Sequence, residues 1–335
     1  MTLSRTLRVL SAFAVALAPT LGASVAAQSG SSPAPAAPRA SAPTARAAKA
    51  PALRTPDGRP DLQGTWDFAQ LTPFERPGQF GEKSVLSDVE AEEFGQNRVA
   101  SENKDRRDGS KDEDVARAYN DFWWDFGTRV AKQTSLVVDP PSGRLPALTA
   151  DAQKKAAANR TPKYDNIEER PLAERCILGF NSGPPMMPSA YNNNMQLVQT
   201  PTHVVILNEM VHSARVIDMS GRAHHPKSMR SLTGDSIGRW EGNTLVVDTT
   251  NFSIEGNFRF STRDMHLVER FSIEDTDTLR YEFTMDDPAV WSSKWTASIP
   301  MHRTNELIYE YACHEANYGL EGVLKGARYG EKAGK

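Results

Sequence analysis

Two motifs that would name a reaction are missing from this chain. It has no glycine-rich loop of the phosphate-cradling kind and no Gly-x-Gly-x-x-Gly fingerprint, and no serine nucleophile elbow is expected, so serine-hydrolase and nicotinamide chemistry are both disfavoured and no cofactor is expected. Cysteine is scarce. Cys176 and Cys313 are the only two in 335 residues, which excludes a thiolate metal ribbon and a disulfide-dense scaffold and leaves room for one bridge within the chain. Basic charge is also short: residues 1 to 54 carry six basic side chains and no acidic one, so the rest holds 33 basic against 42 acidic residues. A surface with a net charge of about −9 repels phosphate backbones, and no basic stripe interleaved with aromatics is present, so nucleic acid is not expected as a partner.

What is present begins with an address. Arg5 and Arg8 precede an apolar run from Leu10 to Leu21, and Val25-Ala26-Ala27 offers the small residues that signal peptidase prefers. Residues 1–27 read as a signal peptide, and no membrane span is expected after its cleavage, which places the protein in the periplasm or outside the cell. Residues 28–54, rich in Ala, Pro and Ser, have too little apolar surface to offset their own ordering entropy and read as a disordered tether. In an oxidising compartment Cys176 and Cys313 are expected to pair.

The remaining residues, about 55–330, read as one domain. Its most legible stretch is Gly238 to Ser253, a β-hairpin with Trp240 before the turn signal Glu241-Gly242-Asn243 and a β-branched run from Thr244 after it. Further strands are expected at Met195–Thr200, His203–Asp218, His266–Ile273, Leu279–Met285, Trp295–Thr304 and Leu307–His314. Between about 87 and 178 the period turns helical. A capping box, Ser87-Asp-Val-Glu90, opens the region. Val115, Tyr119, Phe122, Trp123, Phe126 and Val130 share one helical face, Gln133–Pro146 suggests a hairpin, Thr149 caps a short helix to about Ala158, and another short helix is expected from Pro171 to Gly179.

The entry strand carries Gly64-Thr-Trp66, which resembles the Gly-x-Trp start of lipocalin-like barrels, where the Trp closes one end and an Arg from a late strand packs across it. Arg303, beside a turn, is the matching arginine. The resemblance and the strand count imply a mainly β fold, an antiparallel lipocalin-like (calycin-type) barrel with a helical insertion between early strands. The stretches Arg59-Pro-Asp-Leu-Gln-Gly-Thr-Trp66, Glu174-Arg-Cys-Ile-Leu-Gly-Phe-Asn181, Trp240 to Phe252 and Tyr309-Glu-Tyr-Ala-Cys-His-Glu315 also resemble a family of uncharacterised secreted bacterial proteins, a likeness that implies no activity.

Strand alternation assigns faces. Leu279, Tyr281, Phe283 and Met285 are expected inward, as are Trp295, Ala297, Ile299 and Met301 with Arg303, Leu267, Phe271 and Ile273 with Glu269, and Val205, Leu207 and Val211 with Glu209. Two inward carboxylates in an apolar lumen serve either acid-base chemistry or structural ion pairs, Glu269 with Arg259 and Glu209 with Arg215. His212, His224, His225 and His314 are the candidate partners in catalysis. No metal site is expected, because Glu209 and His212 are oddly spaced on a strand and adjacent histidines point apart. The loop from Phe180 to Asn194 has the composition of a binding loop: Met186, Met187 and Tyr191 offer apolar contact, and Asn192, Asn193 and Asn194 offer amides. The expected function is binding of a small apolar or amphipathic molecule. Two versions stay open, a cofactor-independent lyase, isomerase or hydrolase using Glu and His, and a non-catalytic binding protein of the cell envelope.

Overall fold

The computed structural model describes residues 53–335 apart from residues 104, 106–108, 113–123, 159–163, 254–257, 316 and 335. The aromatic helical face expected from Val115 to Trp123 lies outside the described residues. Phe126 and Val130, expected on that same face, lie in irregular chain.

Strand β1 (Gly64–Asp67) is followed by helix α1 (Asp88–Glu102), strand β2 (Val137–Asp139) and helix α2 (Ala150–Ala158). Then come β3 (Asn194–Gln199), β4 (His203–Asn208), β5 (Ala214–Asp218), β6 (Asp235–Glu241), β7 (Thr244–Thr250), β8 (His266–Asp275), β9 (Thr278–Asp286), β10 (Trp295–Thr304) and a last helix, α3 (Tyr318–Lys332). Nine strands close a barrel in the order β1-β3-β4-β5-β6-β7-β8-β9-β10, because β10 also pairs with β1. The length of β10 makes this geometry available. Its later residues 302–304 pair with β1, and its early residues Thr296 and Ala297 pair with β2, which adds a short tenth strand. Closure removes the unpaired edges that an open sheet would leave.

Every junction is antiparallel except one. Between β5 and β6 the chain crosses back along residues 219–234, so β6 runs parallel to β5, joined at Asp218 and Ile237. The sheet is therefore mixed rather than wholly antiparallel, because a segment of this length reverses direction twice where a tight turn reverses it once. The expected strand over Leu307–His314 is irregular chain, Pro171–Gly179 forms turns rather than a helix, and Gln133–Pro146 supplies only β2, although its turn at Pro140–Gly143 forms as expected. The capping box holds, with Ser87 and Glu90 bonding reciprocally at the start of α1. Of the helical region, the described residues show α1, a helical pair at Lys111 and Asp112, and α2, with β2 between the last two.

The lumen is a packed core. Leu267, Phe271, Leu279, Tyr281, Phe283, Met285, Trp295, Ala297, Ile299 and Met301 all point inward and are completely buried, as alternation requires. Trp295 sits among Phe74, Phe258, Phe283 and Trp291, with ring centroids 5.5–6.0 Å away. Large side chains buried this fully contribute about 1.5–3 kcal/mol each. β4 differs from expectation: Val204, Ile206 and Asn208 are buried and Val205 and Leu207 half-buried, so the strand presents the opposite face. Its register is fixed by pairing with β3, in which Met195 and Leu197 are the buried positions. A run of five apolar or near-apolar residues, His203 to Leu207, has no alternation from which the face could be read.

At one end of the barrel the Arg303 guanidinium lies 4.2 Å from the Trp66 ring centre, and the two residues are paired across β1 and β10. Arg303 also donates to the carbonyls of Gln63 and Thr276, which ties β1 to the β8–β9 turn. Gly64 is required here, with φ of 125° and an added Cβ at 2.5 Å from the Arg303 guanidinium. Gly64→Ala is expected to destabilise the fold by about 2 kcal/mol or more through strain and a displaced arginine. A denaturant midpoint equal to wild type would contradict this account of the closure.

Candidate functional site

The opposite end, where β3 begins and β4 finishes, gathers most of the sequence candidates. The loop after Phe180 folds over this mouth. It is held by side-chain amides rather than by strand pairing: Asn181 donates to the carbonyls of Tyr191 and Asn192 and to Asn193 Oδ1, and Asn193 donates to the carbonyls of Asp125 and Ser189. Asn208 donates to the carbonyl of Ser182, whose hydroxyl donates to the carbonyl of Met210. Met186 is driven to zero exposure beneath the loop, and its N–H donates to Tyr281 Oη at 3.1 Å. Met187 is half-buried against the core. Of the predicted loop residues, Asn193 and Met186 are thus structural. Asn192 takes a left-handed backbone, with φ of 53°, which an Asn tolerates, and Tyr191 and Asn194 reach the rim.

Below the loop lies a buried polar network. Arg215 meets Glu269 in a two-pronged ion pair, one prong from Nη2 to Oε1 at 2.9 Å, and the Tyr281 hydroxyl donates to the same Oε1 at 2.8 Å. Glu269 is fully buried and Arg215 nearly so. The expectation that Glu269 pairs with Arg259 and Glu209 with Arg215 is therefore corrected. Inward-facing Arg215 on β5 reaches across the lumen to β8, whereas Glu209 stands beyond the end of β4. Burial pushes the Tyr281 hydroxyl well above its ordinary range, with the Glu269 charge acting in the same direction, so it serves as a donor.

Glu209 sits at the rim with 4 % exposure. Its carboxylate accepts from Asn194 Nδ2 at 2.8 Å and from the Tyr309 N–H at 3.3 Å. The segment that supplies Tyr309 is clipped to the mouth by the Cys176–Cys313 disulfide and by Asn317, which donates to the carbonyl of Glu174. The same two segments that donate to Glu209 carry an aromatic group. Tyr191 stacks on Tyr311 with centroids 6.3 Å apart, Phe180 meets Tyr191 edge-on at 5.4 Å, and Trp124 meets it at 6.5 Å. Phe180 is 44 % and Tyr309 66 % exposed, so apolar surface is left open at this mouth. Composition alone pointed to Tyr191, but Tyr309 and Tyr311 were missed because their segment reads as a strand.

The histidines do not join the glutamates. His212 is exposed in a short 3-10 turn at Met210–His212, where its N–H donates to the Glu209 carbonyl, and His314 is exposed just beyond Cys313. Among the described residues no histidine side chain is hydrogen-bonded to Glu209 or Glu269. His224 instead lies on the outer wall with Nδ1 3.0 Å from Asp235 and Nε2 2.9 Å from Asp248, and His266 Nε2 is also 2.9 Å from Asp248. Arg222 bonds both Asp218 and Asp235, while His225 reaches Asp235 through its backbone N–H. The cluster fastens the 219–234 crossover to β6, β7 and β8. Among the described residues no group of three ligating side chains is arranged to hold a metal ion.

This cluster gives stability a pH dependence. The hydrogen bond to Asp248 raises the His266 pKa above its ordinary value against the opposing effect of burial, with Asp286 adding to the rise and Lys294 opposing it. Burial pushes the Asp248 carboxyl up, but its bonds from His266 and His224 outweigh that and hold it low. A raised histidine stabilises below its unfolded pKa of about 6.5 and loses this as pH rises, while a lowered aspartate stabilises above about 3.9 and loses this as pH falls. The cluster therefore contributes most between about pH 4 and 6.5. The denaturant midpoint is expected to be higher near the top of that window than at about pH 8, and His266→Gln is expected to flatten the difference. A midpoint that rises steadily up to alkaline pH would refute the assignment.

Gly234-Asp-Ser-Ile-Gly238 spells Gly-x-Ser-x-Gly, yet the structure does not form a nucleophile elbow there. Ser236 lies inside β6, buried, and shares a 2.9 Å hydrogen bond with Thr249 Oγ1. A separate cleft of about 480 Å3 at the Arg303 end is lined by Arg59, Val204, Met219 and Trp240 among others, none of them a sequence candidate. No protein-family model, curated protein or solved structure matches the chain.

Proposed function

We propose that this is a periplasmic or secreted binding protein that holds a small amphipathic molecule at the Glu209 end of its barrel. The apolar part rests on Phe180, Tyr191 and Tyr311, and the polar part meets Glu209 and Asn194. The observation that carries this reading is the juxtaposition of a buried carboxylate with open aromatic surface at a barrel mouth. The filled lumen supports a site at the mouth rather than a ligand swallowed in the lipocalin-like manner that the Gly-x-Trp entry suggests. The disulfide and the signal-like N-terminus support the compartment, and no described helix is long and apolar enough to cross a membrane.

A non-catalytic role is favoured over acid-base chemistry because Glu269 is consumed by Arg215 and Tyr281 and Glu209 has no bonded histidine. Native mass spectrometry of the protein purified from its own compartment tests the reading. A bound small molecule recovered unaltered after long incubation, and lost in Tyr191→Ala, is the expected result. Conversion of that molecule would transfer the site to the enzyme reading, and a ligand retained in full by Tyr191→Ala would remove it from this mouth.

A further inference from the structure

We infer that the ligand carries a cationic head, an organic ammonium group, which Glu209 and the tyrosine faces receive together; this rests on the binding reading above and narrows it. The two buried glutamates make the case by contrast. Glu269, fully buried, has a guanidinium across it and a tyrosine hydroxyl besides. Glu209 is almost as buried, at 4 % exposure, yet both of its donors are neutral, the Asn194 amide and the Tyr309 N–H. Among the described residues no Lys, Arg or His lies within ion-pair distance of it. A carboxylate offers about four acceptor positions, and two are used. A buried charge left with neutral partners is costly, and a matching cation relieves that cost.

The surroundings select the kind of cation. A metal ion prefers several oxygen or nitrogen ligands, and among the described residues no group of three His, Cys, Asp or Glu side chains is gathered to hold one. Aromatic faces instead attract diffuse cations through the negative face of the ring, by a larger margin where water is excluded. The stacked Tyr191–Tyr311 pair and Phe180 supply such faces, and they stand on the two segments, 180–194 and 309–311, that also donate to Glu209. An alkyl or aryl group on the nitrogen would cover the exposed Phe180 and Tyr309. The acidic surface of the domain adds weak attraction at a distance for the same sign of ligand.

Titration calorimetry at constant ionic strength with three single-chain probes of equal alkyl length separates head-group chemistry from apolar contact. The probes are decyltrimethylammonium, decyl maltoside and decyl sulfate, each below its micelle concentration. The expected order is ammonium tightest, by about tenfold or more over the maltoside, with the sulfate weakest. Glu209→Gln, which keeps one acceptor, is expected to abolish most of the ammonium preference while leaving maltoside binding within about twofold. Tyr311→Leu keeps apolar area and removes a π face, so it should weaken the ammonium several-fold and the maltoside little; it also serves if Glu209→Gln fails to fold. Equal binding of ammonium and maltoside by wild type would overturn the cation inference and leave the amphiphile site standing. An ammonium preference that survives both substitutions would overturn it too. Failure of all three probes to bind would overturn both proposals.

Discussion

Glu269→Gln is expected to cost about 3–5 kcal/mol of folding stability, because it leaves the Arg215 guanidinium buried without its counter-charge. Among the described residues the arginine has no other acidic partner. It is 6 % exposed, its two prongs both go to Glu269, and Tyr281, whose pKa burial drives up, cannot take over the negative charge. Glutamine keeps the shape and one acceptor, so the loss is one of charge rather than packing. Urea denaturation at neutral pH measures it, and a loss below about 1 kcal/mol would show that the pair is not structural. The double change Arg215→Met with Glu269→Leu supplies a second arm. Replacing both partners by apolar groups of similar volume removes two desolvated charges together, so much of the lost stability should return. Tyr281 then loses an acceptor but keeps the N–H of Met186, which limits the recovery.

The second large effect belongs to the disulfide. Cys176 and Cys313 are separated by 137 positions, and a bridge closing so long a loop contributes about 4–5 kcal/mol in the chain-entropy model. Cys313→Ser, or reduction of the native protein, is expected to lower the thermal midpoint by several degrees and also to weaken the ligand site. Both follow from one fact: residues 305–314 contain no strand, so the bridge and a few hydrogen bonds are what hold Tyr309 and Tyr311 at the mouth. Glu209 would lose the Tyr309 N–H, and Tyr191 would lose its stacking partner. Thermal unfolding with and without reductant, paired with decyltrimethylammonium titration, checks the two consequences. A reduced protein with an unchanged midpoint and unchanged affinity would show that the clip is unnecessary.

Together the two predictions divide the buried glutamates by role. Glu269 should report on stability alone. Glu209, which bridges β3 to the C-terminal segment and among the described residues pairs with no cation, should report chiefly on binding.

Much of the barrel was legible in advance because its strands obey local rules. β9 and β10 alternate without a break, so Leu279 to Met285 and Trp295 to Met301 could be given faces from spacing alone, and they are buried as assigned. The Gly64-x-Trp66 entry and Arg303 likewise announced the closure, since only glycine fits against the guanidinium. β4 gave no such signal, and its face was settled by pairing with β3. The same holds for polar partners. Glu269 was assigned to the lumen by its position on β8, but Arg215 became its partner through the curvature that brings β5 opposite β8, a relation with no trace in the sequence, where the two stand 54 positions apart.

By itself the sequence determined most of the strands, the inward set on the alternating strands and the pair of cysteines, because each depends on neighbours a few residues away or on there being only two thiols to join, while the Arg303 closure was legible only through the barrel resemblance that Gly64 and Trp66 carry. Only the tertiary structure decided that β5 and β6 run parallel, that the lumen is filled, that the histidines gather on the outer wall, and that an irregular C-terminal segment carries two tyrosines to Glu209. Those outcomes depend on which surfaces meet when the sheet closes, and closure is a property of all nine barrel strands together rather than of any one of them.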